Sequence, residues 1–199
     1  MNVAFADISL PLWLVVSQWT LLFALGFLII VMYRQVGLLE QLKDAGSERE
    51  GLTVGEKAPS FDHIPIKQDT NDPLRFEPTE RWTLLAFADP QCVSCENTVR
   101  ALERLSPKLR QTMRVLVVTR SEPPQIAASD AFSTASFAIS RIRADVSYKV
   151  YRTNVTPFGY LIDPQGMIRA KGVIGDEASI RNLVQKGNHV PINVEFIVS

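Results

Sequence analysis

The chain has 199 residues with 21 basic and 21 acidic side chains, interspersed and summing to no formal charge, so it presents no electrostatic case for a nucleic-acid partner. Only two cysteines are present, which confines any thiol chemistry to one pair. The two histidines, His63 and His189, are far apart in sequence and leave a metal site short of ligands.

Residues 8–33 carry no charge, and the run beginning Leu12-Trp-Leu-Val-Val is long enough to cross a bilayer, which takes ~20 apolar residues. A cleavable signal peptide would show a basic start, a shorter apolar core and a small-residue cleavage site; here the only early charge is Asp7, and the run ends in Met32-Tyr33-Arg34. Residues 1–34 therefore read as an uncleaved transmembrane anchor, with Trp13, Trp19 and Tyr33 suited to the membrane interfaces. Basic residues near the span lie only after it (Arg34, Lys43, Arg49), a bias that favours a cytoplasmic domain. A tethered thiol pair is most useful outside the cytoplasm, where protein disulfides are made and repaired, and large domains translocate despite flanking charge. The expected location is the inner membrane, with the redox domain in the periplasm.

Residues 35–51 form a juxtamembrane linker, a short amphipathic extension followed by a charged stretch poor in large apolar side chains. Residues 52–199 are of a size to make one domain with its own core. Within it, Trp82-Thr-Leu-Leu-Ala-Phe-Ala88 reads as a buried strand, Asp89-Pro90-Gln91 as a turn, and residues 96–105 as a helix. Val115-Leu-Val-Val-Thr119 is a second buried strand, and Pro123-Pro124 breaks the chain. The Ala-rich residues 126–141 have helix-like composition. Phe158-Gly-Tyr-Leu-Ile162 and Met167-Ile-Arg-Ala170 flank the turn Asp163-Pro164-Gln165-Gly166, which predicts a β-hairpin. A helix follows from Asp176 to Lys186, stopped by Gly187, and residues 192–198 have strand composition.

Between the first strand and its helix stand both cysteines, as Cys92-Val93-Ser94-Cys95. A cysteine opening a helix meets unpaired N–H groups and the positive end of the helix dipole, which favour the attacking thiolate. Cys92 is the expected nucleophile. Cys95 lies about one turn on and on the same face, where its sulfur can resolve a mixed disulfide. A structural disulfide across so small a loop would remove little chain entropy. A soft-metal chaperone or assembly factor holding an ion such as Cu(I) between the same thiols remains an alternative. So does a peroxiredoxin-like peroxidase, although Pro90 stands only two residues before Cys92 and the Pro-x-x-x-Thr-x-x-Cys pattern is absent.

The order of CxxC helix, buried strand, helix, X-Pro heading a strand, hairpin and helix resembles the thioredoxin fold, an α/β fold with a mixed sheet flanked by helices. Val54-Gly-Glu-Lys-Ala-Pro-Ser-Phe61 resembles the VGxxAPxF segment of membrane-anchored, cytochrome-maturation-type redoxins. Arg34-Gln-Val-Gly-Leu-Leu39, directly after an anchor, narrows the resemblance to the accessory proteins of methylamine dehydrogenase in methylamine utilisation. The resemblance implies a thiol-disulfide oxidoreductase with catalytic Cys92 and Cys95 and no cofactor other than the Cys92–Cys95 disulfide. It also implies that Thr156-Pro157 is a cis pair shaping the substrate groove. The implied client is a disulfide-containing protein, the small subunit of methylamine dehydrogenase; separately, reduction or isomerisation would need electrons, which calls for a membrane thiol electron donor. Gln91 stands where thioredoxins carry Trp, and the strand before it holds no carboxylate to deprotonate Cys95, which argues against a general reductase of the thioredoxin kind.

Overall fold

The computed structural model describes residues 12–66, 72–77 and 81–187, grouped in two units, Met1–Ala45 and Gly46–Ser199. Helix α1, Leu12–Arg49, begins in the first unit and continues through the segment read as a linker. Its stretch Val15–Arg34 is apolar and long enough to cross a membrane, and none of it is buried by protein. Leu21, Phe23 and Phe27 carry large exposed surfaces, which suits a helix that crosses a bilayer. The expected candidate span is present.

The second unit is built on a seven-stranded sheet: β1 (Phe61–Pro65), β2 (Leu74–Phe76), β3 (Trp82–Phe87), β4 (Met113–Thr119), β5 (Ala138–Ile142), β6 (Phe158–Ile162) and β7 (Ile168–Val173), in the spatial order β2-β1-β5-β4-β3-β6-β7. The three central strands β5, β4 and β3 are parallel, and the outer pairings are antiparallel. Parallel neighbours need crossovers. Helix α2 (Val93–Thr112) joins β3 to β4, and the short helices α3 (Pro123–Ala128) and α4 (Asp130–Thr134) join β4 to β5. Helix α5 (Glu177–Lys186) closes the described chain.

Strand alternation divides the core. Leu84 and Ala86 of β3 face one side with Val99, Leu102, Phe132, Ile180 and Leu183 from the helices. Leu85 and Phe87 face the other with Phe61, Phe76, Tyr151, Phe158 and Tyr160. Tyr160 donates its hydroxyl to the Tyr151 carbonyl (2.9 Å) and receives the Leu52 N–H (3.1 Å), while Tyr151 donates to the Pro59 carbonyl (2.8 Å). The VGxxAPxF segment is thus pinned over this second face, and its Gly55 and Ala58 N–H groups bond the carbonyls of Ile168 and Gly166.

Several expectations change. Residues 126–141 do not form one helix: α3 and α4 are followed by strand β5, which slots between β4 and β1 with Leu116 opposite Ala138 and His63 opposite Ile142. Its pairing on both sides outweighs the helix-like composition of the surrounding segment. Pro123 does not break the chain but starts α3, where a missing N–H costs nothing. The helix expected at 96–105 runs from Val93 to Thr112 through Pro107, because Leu102, Leu105 and Leu109 continue one buried stripe. Strands β1 and β2 and the π-helical turn Val146–Val150 were not anticipated. The strand composition at 192–198 lies outside the described residues.

Candidate active site

The end of β3 delivers the chain into a turn organised by Asp89. Its Oδ1 accepts the Gln91 N–H at 2.9 Å and the Ser121 hydroxyl at 3.3 Å, and its carbonyl accepts the Cys92 N–H at 3.1 Å. A carboxylate bonding the backbone two residues ahead is the local geometry that Asp favours in turns. Cys92 follows in extended conformation as the N-cap of α2, and its Sγ accepts the Cys95 N–H at 3.4 Å. The sulfur occupies the place of a capping oxygen, at the end of the helix where unpaired N–H groups gather.

The two thiols are unpaired and unequal. Cys92 is partly exposed, whereas Cys95 has no accessible surface and packs in the helix-side core. Burial, followed by the hydrogen bond with Cys92, pushes the Cys95 thiol up to about 12. Iodoacetamide at pH 8 is therefore expected to label Cys92 in the folded protein and leave Cys95 unmodified until a denaturant is added, as peptide mapping would report; equal labelling of both would contradict this burial. Cys95 retains its proton in the fold while an unfolded thiol ionises near 9.0, so its contribution is complete below pH 9.0 and is lost as pH rises toward about 12.

Across from Cys92 lies the loop leading into β6. The Thr156-Pro157 bond is cis, as the resemblance implied, and the Thr156 carbonyl oxygen stands 4.0 Å from Cys92 Sγ. Pro157 in turn accepts the Ile174 N–H through its carbonyl at 3.2 Å, which ties the loop to the end of β7. Cys92, Cys95 and Thr156-Pro157, separated by some sixty positions in sequence, are thus brought to one end of the sheet. Val93, next to Cys92 in the chain, and Val155, next to Thr156, are 77% and 41% exposed and add apolar surface to the two segments that meet here.

The charges flanking the motif are engaged. Glu96 accepts the Ser129 hydroxyl at 2.6 Å, Asp89 is committed to its turn, and Arg100 pairs with Asp130 at 3.5 Å on an exposed surface. A shallow cleft of about 330 Å³ opens beside the motif between Gln91, Glu96, Pro124 and Ser129. Among the described residues no group of three His, Cys, Asp or Glu side chains converges on a point, so a metal held here would rest on the two sulfurs alone.

Sequence reasoning passed over the loop's other support. Arg152 adopts a left-handed backbone (φ 53°), Thr153 is buried with its N–H on the Ser147 carbonyl at 2.9 Å, and Asn154 donates its N–H to the Glu50 carboxylate. No local pattern marks Glu50, one charge in a charged stretch.

No protein-family model matches the chain. It is 27% identical over 179 residues to the methylamine utilization protein MauD of Methylorubrum extorquens, covering 85% of this chain and 83% of that one. It is 24% identical to MauD of Paracoccus versutus, covering 84% of each. Among solved structures, a thiol:disulfide interchange protein from Bacteroides sp. superposes with a TM-score of 0.57 at 19% identity, over 70% of this chain and 91% of that one. The second unit has the thioredoxin-like fold, and the chain as a whole resembles MauD.

Proposed function

We propose that this MauD-like chain is a membrane-tethered thiol-disulfide oxidoreductase acting on protein disulfides, in which Cys92 attacks and Cys95 resolves. One observation carries the reading: an accessible sulfur capping a helix, with a buried partner thiol behind it and the Thr156-Pro157 loop in front. In the reducing direction the Cys92 thiolate attacks one sulfur of a client disulfide, the client S–S bond breaks, and the departing client thiolate takes up a proton. Cys95 then surrenders its proton and attacks Cys92 Sγ. The mixed disulfide breaks, the second client thiolate leaves, and two electrons have passed to the client as the Cys92–Cys95 disulfide forms. The same steps reversed oxidise a client dithiol.

The Cys95 proton is held chiefly by burial and then by the contact with Cys92, and it is given up as Cys95 makes the second attack. No cofactor beyond the two thiols is needed for this chemistry.

The relatives are named for methylamine utilisation, and on our reading the client is a disulfide-containing protein of that system, the small subunit of methylamine dehydrogenase. On this reading the α1 span Val15–Arg34 anchors the chain in the inner membrane, the redox domain lies in the periplasm, and a membrane thiol protein exchanges electrons with it. The reading is tested by expressing Cys95→Ala in the host, quenching with acid and identifying what a reductant releases from Cys92. Disulfide-bearing periplasmic proteins are expected. Recovery of cytoplasmic proteins alone would overturn the orientation, and recovery of nothing would overturn the exchange reaction.

A further inference from the structure

The loop that faces Cys92 is held from two sides. From beneath, Thr153 is buried, with its N–H on the Ser147 carbonyl and its hydroxyl on the Val155 carbonyl (3.4 Å). From the outer side it is held by Glu50 and Gly51, the two residues that follow α1. The Gly51 N–H donates to the Arg152 carbonyl at 3.0 Å, and the Glu50 carboxylate accepts the Asn154 N–H. These residues are themselves fixed. Lys171 of β7 donates its Nζ to the Glu50 carbonyl at 2.8 Å, and the next residue, Leu52, is bonded to the buried Tyr160 hydroxyl. Gly51 has φ +75° and passes so near the tyrosine that a Cβ there would lie 1.9 Å from Tyr160 Oη, so the approach requires glycine.

A hydrogen bond donated by a backbone N–H to a carboxylate is among the stronger contacts of its kind, and this one falls two residues before Thr156. Arg152, on the near side, sits in a left-handed conformation that non-glycine residues adopt only when their surroundings hold them there. Without its outer support, segment 152–156 would be left to relax toward commoner backbone angles, carrying the Thr156 carbonyl away from Cys92 Sγ.

We propose that Glu50 is a positioning residue for client recognition: its carboxylate, through the Asn154 N–H, sets the backbone of 152–156 at the height where an extended client segment can pair with it beside Cys92. This rests on the reading of the chain as an exchanger of protein disulfides. Glu50 touches neither sulfur. Its influence is confined to substrates that use the loop, and small disulfides that need only Cys92 are indifferent to it.

The test uses the full-length protein in detergent, with dithiothreitol as electron donor, insulin as the protein disulfide and oxidised glutathione as the small one. Glu50→Ala is expected to lower kcat/KM for insulin by about tenfold or more while leaving the glutathione disulfide rate and the iodoacetamide labelling of Cys92 within about twofold. Glu50→Gln keeps an oxygen acceptor for the Asn154 N–H and should hold the insulin rate within about threefold of the parent. The proposal is overturned if Glu50→Ala reduces insulin at the parental rate, if it slows both substrates alike, or if Glu50→Gln fails as badly as Glu50→Ala. A parent protein that reduces insulin no faster than its Cys92→Ser variant would instead overturn the oxidoreductase reading, and the role of Glu50 with it.

Discussion

Cys92→Ser is expected to reduce protein-disulfide exchange by at least about a thousandfold, because a hydroxyl neither ionises near neutrality nor forms a disulfide. The fold should be nearly unaffected. Cys92 is partly exposed, serine is itself a favoured N-cap, and the Cys95 N–H would keep an acceptor there, so the change in stability should stay within about 0.5 kcal/mol. Cys95→Ala should behave differently. It removes a sulfur from a site with no accessible surface, at a cost of about 1 kcal/mol, and leaves the first attack intact. Turnover falls while the mixed disulfide between Cys92 and its client accumulates, visible as a reductant-sensitive band on electrophoresis. Steady-state turnover of the two variants, read beside that band, checks the assignment of roles. If Cys92→Ser accumulated the adduct and Cys95→Ala did not, the roles of attacker and resolver would be exchanged.

Asp163→Ala should be among the most destabilising single changes outside the apolar core. Asp163 is 1% exposed in the turn between β6 and β7. Oδ1 accepts the N–H groups of Gln165 at 2.9 Å and Met167 at 2.8 Å, and Oδ2 receives Arg169 Nε at 2.6 Å. Alanine would leave two backbone donors unpaired and free the arginine, a loss of about 2–4 kcal/mol, or roughly 5–15 °C in Tm for a domain of this size. Arg169→Ala should cost less. The arginine is 44% exposed, and after its removal the carboxylate keeps both backbone donors. Thermal unfolding of the two variants side by side checks the order, and an Arg169→Ala loss exceeding that of Asp163→Ala would contradict it. The effect reaches the site because β6 starts directly after Pro157, whose carbonyl is bonded at the end of β7.

The hairpin that Asp163 organises was readable from residues 158–170 alone, since strand, turn and strand are written there in consecutive residues. The same holds for the apolar span of α1, the buried strands β3 and β4, the Cys92 cap and α5 with its Asp176 and Gly187 ends. In each case the signal is local: an apolar run, a turn residue, or a cap within one turn of helix. The two catalytic candidates are also local, because the CxxC spacing is itself the chemistry.

What escaped local reading depended on distant partners. Ala138–Ile142 is a strand because β4 and β1 both offer it backbone groups, which nothing in its own alanine-rich neighbourhood announces. Five-residue β1 and three-residue β2 are too short to show a period, and they exist as strands through the pairs Phe61–Phe76 and His63–Ile142. The inequality of the thiols is likewise tertiary: the cysteines are three positions apart, and only the packing of α2 on the sheet makes one accessible and the other enclosed. Residues within a few positions of one another are placed by backbone geometry that sequence spacing encodes. The bond from the Asn154 N–H to the Glu50 carboxylate joins residues 104 positions apart, and such contacts arise only when the whole sheet has set both ends in place.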